Sequence, residues 1–340
     1  MKKNLKSILL LPIIAIFFAL LTVQFGPGYE KPSLPTENFD SSAFFSNLQN
    51  ITGTLFIWPN KNILSTYTRF LEATDDFLLI QSYIITHQTF QDYFHKLSKR
   101  WIPIHIILEN NIYNAYQNFF KQLQNNFSGN QNVQIRSDDH MGTTYVHSKI
   151  TLNEDAFRIQ TANLTKSSFE SNREHFFYSS NPSVRENLEL LFDRDRAGTS
   201  LSSFPFHPNL VVCPINCRAV IQALLSSAEE SIIIQTQYIL DDSILQLLRQ
   251  KSEQVSLHII VADTITNLDL TTYFGPAVAR ALPKPYNHTK MILVDEKYLL
   301  LGSMNLSDNS LDNNREIWIM LLDPSLIQTF LSGFWSDRKK

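Results

Sequence analysis

Apolar residues follow two alternating periods along most of the chain. Short apolar runs of strand length, such as DDFLLIQSY (75–83) and VSLHIIVAD (255–263), are separated by segments in which apolar residues recur every three or four positions. The first pattern is typical of buried strands, and the second of helices that cover a sheet with one face. Because strands and helices alternate throughout, the sequence predicts an α/β fold.

The same order of elements occurs twice. Each copy begins with a short strand followed by proline, LFIWP or LVVCP, and continues with a helix, a strand, a second helix and a further strand. The similarity is closest between NLTKSSFESNRE (163–174) and NLSDNSLDNNRE (305–316), which are identical at their Asn, Leu, Ser, Asn, Arg and Glu positions. Such internal repetition indicates duplication. We therefore expect two homologous halves, at residues 49–200 and 201–340.

Each half carries a histidine and a lysine separated by one residue in a segment of strand character. The two motifs are His147-Ser148-Lys149 and His288-Thr289-Lys290. Because side chains alternate across a strand, imidazole and ammonium are expected on one face. One such pair would be an ordinary surface feature, but here an asparagine follows the histidine by 16 or 17 residues and a glutamate by 27 or 28. The repeated spacing predicts a doubled catalytic site.

A second strand end in each half adds a hydroxyl and an amide. Thr161 and Asn163 provide them in the first copy, and Ser303 and Asn305 in the second. This donor set suits a phosphate, because the lysine offsets its charge while the hydroxyl and the amide donate hydrogen bonds to its oxygens. We expect these four residues to bind substrate.

Two histidines in one site allow two different tasks. One imidazole can attack phosphorus while the other protonates the leaving oxygen. A carboxylate that accepts a hydrogen bond from the far ring nitrogen would fix the tautomer of the attacking ring. Glu174 and Glu316, at the end of the repeated blocks, are the candidates for that carboxylate.

The cysteines and the remaining motifs indicate neither a metal nor a cofactor. The sequence contains no HExxH, no HxH and no Cys/His quartet, and its nine glycines form neither GxGxxG nor GxxxxGK[ST]. Cys213 and Cys217 could close one small-loop disulfide, but we expect a pair of semi-buried thiols.

The N-terminal segment has the pattern of a targeting sequence. Three lysines precede an uncharged run whose most apolar part, ILLLPIIAIFFALLTV, covers residues 8–23. As a helix the whole uncharged run would span about 34 Å, enough to cross the hydrocarbon core of a bilayer. We expect a signal or membrane anchor at residues 1–28, with an uncleaved anchor preferred because no small-residue cleavage site follows. A linker at residues 29–48 would then lead to a catalytic part outside the cytoplasm.

Composition and charge narrow the range of partners. The 340 residues are 44% hydrophobic and 18% charged, which excludes disordered and fibrous classes and allows sizeable cores. The net charge is −3, and residues 26–340, without the three N-terminal lysines, carry 26 basic and 32 acidic groups, a net charge of −6. A negative balance counts against broad binding of nucleic acid through its phosphate backbone.

The second copy resembles the signature of the phospholipase D superfamily, HxKxxxxDxxxxxxGS. Its residues are His288, Lys290, Asp295, Gly302 and Ser303, and Asn305 and Glu316 fit the continuation. The first copy departs from this pattern. It has Glu154 in place of aspartate, Gln160-Thr161 in place of Gly-Ser, and a turn one residue shorter.

The resemblance implies a fold and a mechanism. Two α/β halves would pack about a pseudo-two-fold axis, with both HxK motifs in one cleft. The apolar pattern of the N-terminal segment adds a hydrophobic helix to this expected fold. The reaction would be a metal-independent, two-step phosphodiester reaction through a phosphohistidine. By the same resemblance, Lys149, Lys290, Asn163 and Asn305 would hold the phosphate, His147 would attack and His288 would act as general acid.

The expected activity is that of a phospholipase D-like enzyme, which hydrolyses or transfers the phosphatidyl group of phospholipids at a membrane surface. Three alternatives remain open: a metal-independent nuclease of the same superfamily, a cardiolipin-synthase-like phosphatidyl transferase, and a non-catalytic binding relative. Loops 109–143 and 264–287 are expected to form the substrate pocket, and the sequence leaves the oligomeric state open.

Overall fold

Two mixed β-sheets, one from each half, form the framework of the protein. The computed structural model describes residues 39–59, 62–110, 112 and 118–340. Residues 39–340 belong to one compact unit. A short helix, α1 (Ser41–Asn47), precedes the first sheet.

The first half builds its sheet from seven strands in the order β1-β7-β6-β5-β2-β3-β4. The strands are β1 (Thr54–Trp58), β2 (Leu78–Ser82), β3 (Ile104–Leu108), β4 (Val133–Ser137), β5 (Ile150–Leu152), β6 (Phe157–Gln160) and β7 (Asn172–Ser179). The helices of this half are α2 (Ile63–Glu72), α3 (Gln88–Lys99), α4 (Phe119–Asn126), α5 (Lys166–Glu170) and α6 (Pro182–Ala197).

The second half repeats this arrangement in the order β11-β10-β9-β13-β14-β15-β8. Its strands are β8 (Leu210–Cys213), β9 (Ser231–Thr236), β10 (Ser256–Ala262), β11 (Ala279–Leu282), β12 (Tyr286–Asn287), β13 (Lys290–Val294), β14 (Tyr298–Gly302) and β15 (Glu316–Leu321). Its helices are α7 (Cys217–Ser226), α8 (Asp242–Lys251), α9 (Leu268–Val278), α10 (Asp308–Asp312) and α11 (Pro324–Arg338), with a 3₁₀ turn at Ile265–Asn267 before α9.

The two strand orders are the same when one is listed from its opposite edge, with β8 in the place of β1 and β15 in the place of β7. Short β12 is the exception, because it leaves its own half and pairs with β7 of the first sheet. The α/β fold with two homologous halves, predicted from the repeat, is therefore confirmed.

Equivalent helices begin in equivalent ways. Asn181 caps α6 by accepting a hydrogen bond from the Val184 amide (3.1 Å), and Asp323 caps α11 through the Ser325 amide (2.8 Å). A proline occupies the first turn of both helices, where a missing N–H leaves no hydrogen bond unmade. These two helices lie between the sheets.

The main hydrophobic core is shared by the two halves. It joins Phe157 and Ile159 of β6 to Leu301 of β14, and includes Leu188 of α6 and Phe330 of α11. The outer face of each sheet is covered by the helices of its own half. Both sheets are thus buried on both faces, which explains the continuous apolar runs in their strands.

Part of the predicted linker is a packed helix. Asp40 accepts a hydrogen bond from the Ala43 amide (2.9 Å) and so caps α1. The ring of Phe45 lies 5.0 Å from that of Tyr298, centre to centre, and Phe44 also packs against the second half. Within the predicted linker, residues 41–47 are therefore helical and pack against the second half.

The predicted localisation also needs correction. Residues 1–28, the expected anchor, lie outside the described residues. Among the residues that are described, no helix is both long and apolar enough to cross a bilayer. The expected membrane anchor is therefore not supported.

The two cysteines form a disulfide and are not free thiols. The turn from β8 into α7 brings the Cα atoms of Cys213 and Cys217 to 5.1 Å, within the range that a disulfide can bridge. Both residues are fully buried. The expectation of two thiols was wrong, since it weighed sequence spacing without the geometry of this turn.

Candidate active site

The HxK segments are extended and lead directly into β5 and β13. The amides of His147 and Ser148 donate to the carbonyl of Arg315 (2.9 and 2.8 Å), and the amide of His288 donates to the carbonyl of Arg173 (3.1 Å). Arg315 belongs to the second half and Arg173 to the first. The backbone of each motif is therefore held by the opposite half.

The side chains of each histidine–glutamate pair also come from opposite halves. Nδ1 of His147 lies 2.9 Å from both carboxylate oxygens of Glu316, and Nδ1 of His288 lies 2.8 Å from Oε1 of Glu174. Both carboxylates are fully buried. Each pair takes its imidazole from one half and its carboxylate from the other, so the two HxK motifs meet at one interface.

Burial and charge set the protonation of these pairs. Burial lowers the pKa of His147 to about 4, although Glu316 opposes the shift. Burial also lowers the pKa of His288, against the influence of Glu174. Burial alone would raise the pKa of each glutamate, but the neighbouring imidazole and lysine outweigh it and hold the pKa below its ordinary value. At neutral pH a neutral ring thus donates from Nδ1 to a carboxylate, and Nε2 keeps its lone pair.

The two lysines are buried beside the histidines. Lys149 Nζ donates to the carbonyl of His147 (2.6 Å), and Lys290 Nζ donates to that of His288 (2.8 Å). Burial lowers the pKa of Lys149 to about 7 and that of Lys290 to about 8. Each lysine also lowers the pKa of the histidine in the opposite half, so these four groups act on one another within a single site.

The hydroxyls expected to bind phosphate have other contacts here. Thr161 Oγ1 donates to Glu174 Oε2 (2.6 Å), and Ser303 Oγ accepts from the amide of Ile317 (3.1 Å). Ser303 also helps to hold the pKa of Glu316 below its ordinary value. Thr161 thus contacts the carboxylate that holds His288, and the binding of phosphate by Thr161 and Ser303 stays a prediction.

The amides of Asn163 and Asn305 are better placed for a ligand. In the described part of the chain, neither Oδ1 atom has a hydrogen-bond partner although both are buried. Buried polar groups are normally paired, so a site with two unpaired amide oxygens is suited to a polar ligand.

The motif carboxylates Glu154 and Asp295 lie away from the histidines. Asp295 accepts hydrogen bonds from the amides of Glu230 and Ser231, both at 2.8 Å, and Glu154 accepts from the amide of Asp75 at 2.6 Å. They follow the far ends of β13 and β5, whereas the HxK segments precede the near ends. The departure of the first copy at Glu154 thus lies outside the site, and its longer side chain makes the equivalent contact across a shorter turn.

A cavity of about 720 Å³ opens beside His288. Among the described residues, Tyr83 and Asn163 line it from the first half, and Gln237 and Tyr286 from the second. Gln237 Nε2 donates to the hydroxyl of Tyr286 (2.9 Å), which joins two lining residues of the second half. Loops 109–143 and 264–287, predicted to form the pocket, contribute Ile112 and Tyr286.

Sequence reasoning assigned no role to three residues at this site. Tyr83 packs its ring edge against His147, 5.2 Å between ring centres, and lies over the Lys149 ammonium at 5.9 Å. Its only sequence signal is its place just after a buried strand. Arg173 and Arg315, whose carbonyls hold the HxK segments, had a clearer signal, because they are identical in the two repeated blocks.

A known protein family matches the sequence of both halves. The model of a family described as "Cardiolipin synthase, PLD-like domain" matches residues 67–196 and 221–338, one segment in each half. A search of the curated proteins finds no match.

Two solved structures share the fold. The phosphatidylserine synthase of Haemophilus influenzae Rd KW20 is 12% identical, with a TM-score of 0.65 over 89% of this chain and 91% of that one. The polyphosphate kinase from Porphyromonas gingivalis is 13% identical, with a TM-score of 0.62 over 84% of this chain. The match spans only 50% of the kinase. At such identities the likeness shows the fold alone.

Proposed function

This chain belongs to the family of cardiolipin synthase PLD-like domains, within the phospholipase D superfamily, and we propose that it transfers the phosphatidyl group of a phospholipid to water or to an alcohol through a phosphohistidine. One observation carries the proposal. Two histidines, each paired with a buried glutamate of the opposite half, share a site with two buried lysines.

His147 is the proposed nucleophile and His288 the proposed general acid. In an in-line displacement, the attacking nitrogen and the leaving oxygen lie on opposite sides of phosphorus. The open cavity borders His288 and has room for a leaving or an accepting alcohol, whereas His147 packs against Tyr83. This difference between the halves supports the assignment.

The proposed reaction has two balanced steps. Nε2 of His147 attacks phosphorus and the bond to the headgroup oxygen breaks, while Nε2–H of His288 donates its proton to that oxygen. His288 then accepts a proton from water or an alcohol, whose oxygen attacks phosphorus and displaces His147. The product is phosphatidic acid or a new phosphatidyl ester, and both rings return to their starting state.

The negative charge of the substrate favours the protonation states that these two reaction steps need. A bound phosphodiester carries one negative charge, which stabilises the protonated forms of buried Lys149, Lys290 and His288. Binding of substrate thus favours the uptake of a proton from solvent by His288, which then acts as the acid. Asn163 and Asn305 would complete the phosphate contacts by donating hydrogen bonds from their Nδ2 atoms.

A lipid substrate is favoured over a polynucleotide. The matched family is named for cardiolipin synthase, and a phosphatidylserine synthase shares the fold over nearly its whole length. The net charge of −6 over residues 26–340 also counts against a long polyanion as substrate.

The test uses the purified full chain in EDTA. Phosphatidylcholine, phosphatidylglycerol and single-stranded DNA are offered with and without a primary alcohol, and released headgroup, phosphatidyl alcohol and nucleotides are measured. Turnover of a phospholipid that disappears in His147→Asn and His288→Asn, but persists in the remote control His258→Asn, would support the proposal. Cleavage of DNA alone, or loss of lipid turnover in EDTA, would contradict it.

A further inference from the structure

Two buried arginines cross the interface between the halves next to the site. Arg173, in β7, forms an ion pair with Asp337 near the end of α11, 2.5 Å from Nη2 to Oδ1. Arg315, just before β15, pairs with Asp195 near the end of α6, 3.2 Å from Nε to Oδ2. All four side chains are at most 10% exposed. Each pair again takes one member from each half.

The surroundings of the two pairs correspond in two contacts, although Asp337 also pairs with Lys340 Nζ at 2.8 Å. Asp337 Oδ2 accepts a hydrogen bond from Gln235 Nε2, and Asp195 Oδ2 accepts one from Gln81 Nε2, both at 2.9 Å. The Nη1 atom of each arginine donates at 2.6 Å to a carbonyl at the end of the first strand of its own half; these carbonyls belong to Trp58 and Cys213. Burying two such charged networks is costly, so their repetition in both halves indicates a shared task.

That task follows from the backbone of the same arginines. The carbonyl of Arg173 accepts the amide hydrogen of His288, and the next residue, Glu174, accepts the hydrogen bond from its ring. A shift of Arg173 would therefore move both contacts that orient His288. Arg315 has the same relation to His147 and Glu316.

We propose that Arg173 with Asp337, and Arg315 with Asp195, are positioning pairs that orient His288 and His147, respectively, across the interface. This inference rests on the proposed function for its catalytic consequence. The arginines touch no reacting atom and act through the histidine–glutamate pairs. Because each ion pair orients one histidine, disruption of one pair affects either nucleophilic attack or proton donation.

Kinetic measurements would distinguish the effects of the two ion pairs. Asp337→Asn loosens the general acid, so kcat should fall about 10- to 100-fold for a substrate with an alkyl leaving group. It should fall much less for a p-nitrophenyl ester, whose leaving group needs no protonation. Asp195→Asn loosens the nucleophile, so kcat should fall for both substrates, while KM changes little in either variant.

A second measurement needs no activity. Nitrogen NMR of the full chain labelled with ¹⁵N-histidine reports the Nδ1–H hydrogen bond of each ring, with assignments from His147→Asn and His288→Asn. Asp337→Asn should shift the His288 signals and leave those of His147, and Asp195→Asn should do the reverse. Glu189→Gln, which breaks the surface pair with Arg185 on α6, is the control and should shift neither.

Milder variants keep the test decisive if an aspartate variant does not fold. Gln235→Met and Gln81→Met remove one hydrogen bond from each aspartate and keep the ion pair, so smaller shifts with the same selectivity are expected. Unchanged histidine signals, or equal shifts of both histidines in every variant, would overturn the inference. A protein that shows the selective shifts but cleaves no phosphodiester would contradict the proposed function and leave the positioning intact.

Discussion

Glu174 of the first half accepts a hydrogen bond from Nδ1 of His288 in the second half, over 2.8 Å. The reciprocal pair, His147 and Glu316, crosses the interface in the other direction. Reciprocal contacts of this kind arise when two similar units pack about a two-fold axis. As a result, neither half contains a histidine together with the carboxylate that orients it.

Replacing either glutamate should therefore disable the histidine of the opposite half. Glu174→Gln and Glu316→Gln keep the shape but lose the charge that fixes the Nδ1–H tautomer, so we expect kcat/KM to fall about 10²- to 10⁴-fold. Steady-state kinetics on the best phospholipid substrate checks this. Glu154→Gln is the matched control because its carboxylate contacts the remote amide of Asp75, and a similar loss in that variant would refute the account.

The pH dependence follows from the buried lysines and His147. The pKa of His147 is lowered to about 4, so the nucleophile loses its proton and becomes competent as pH rises through that value. The lysine pKa values are lowered to about 7 and about 8, so their positive charges are lost as pH rises through this window. In the free enzyme, kcat/KM should rise near pH 4, begin to fall as the pH rises through the lowered pKa of the general acid His288, and fall further between about pH 7 and 8.

The kcat profile should extend to higher pH than the kcat/KM profile. Bound phosphodiester favours the charged lysines, so their pKa values are higher in the complex than in the free enzyme. Both profiles are measured on one substrate over the same pH range. Coincident alkaline limbs, or a kcat/KM that keeps rising above pH 8, would contradict the assignment of Lys149 and Lys290 to phosphate.

Most residues of the candidate site could be predicted from the recurring blocks, whereas the contacts between the halves could not. Identity of the blocks placed Asn, Arg and Glu at equivalent positions, and HxK recurred at matching spacing. No spacing along the chain, however, shows that Glu174 faces His288 and not His147. That choice depends on how β7 and β12 meet across the interface.

Sequence patterns did not reveal the contacts that depend on tertiary packing. Phe44 and Phe45 fall within the predicted linker, but they pack against the second half, where Phe45 contacts Tyr298. The hydroxyl of Thr161 was expected to bind phosphate, and the sequence did not reveal its contact with Glu174, which is brought close only when β6 and β7 pair. The cysteine spacing allowed a disulfide, and the turn between β8 and α7 decided in its favour.

The disulfide should contribute to stability. It closes a loop between residues four positions apart, for which chain entropy predicts about 2 kcal/mol. We expect Cys213→Ala/Cys217→Ala to lower the free energy of unfolding by about that amount, measured by urea denaturation. A reducing agent should destabilise the native protein and not the double variant. Equal urea midpoints for the two proteins would refute this contribution.

Gly302 should tolerate no side chain. A Cβ atom built there would lie 2.4 Å from the carbonyl oxygen of Ile317 and 2.3 Å from the Trp318 ring. Gly302→Ala should therefore cost about 1–3 kcal/mol of stability through overpacking. Activity should also fall, because β15 carries Glu316. Thermal unfolding and kinetics of this variant check both effects. A variant with wild-type Tm would contradict this prediction, because it would show that β14 and β15 accommodate the added methyl group without cost.

The central claim is a covalent phosphohistidine on His147. Bis(p-nitrophenyl) phosphate is a suitable probe because its leaving group departs without an acid, so His288→Asn should accumulate the intermediate. After alkaline quenching, intact-protein and peptide mass spectrometry should place a nitrophenyl phosphoryl group on His147 in the wild-type and His288→Asn proteins, and find none in His147→Asn. An adduct that persists in His147→Asn and resides on His288, or turnover of the probe with no adduct in any protein, would contradict the account.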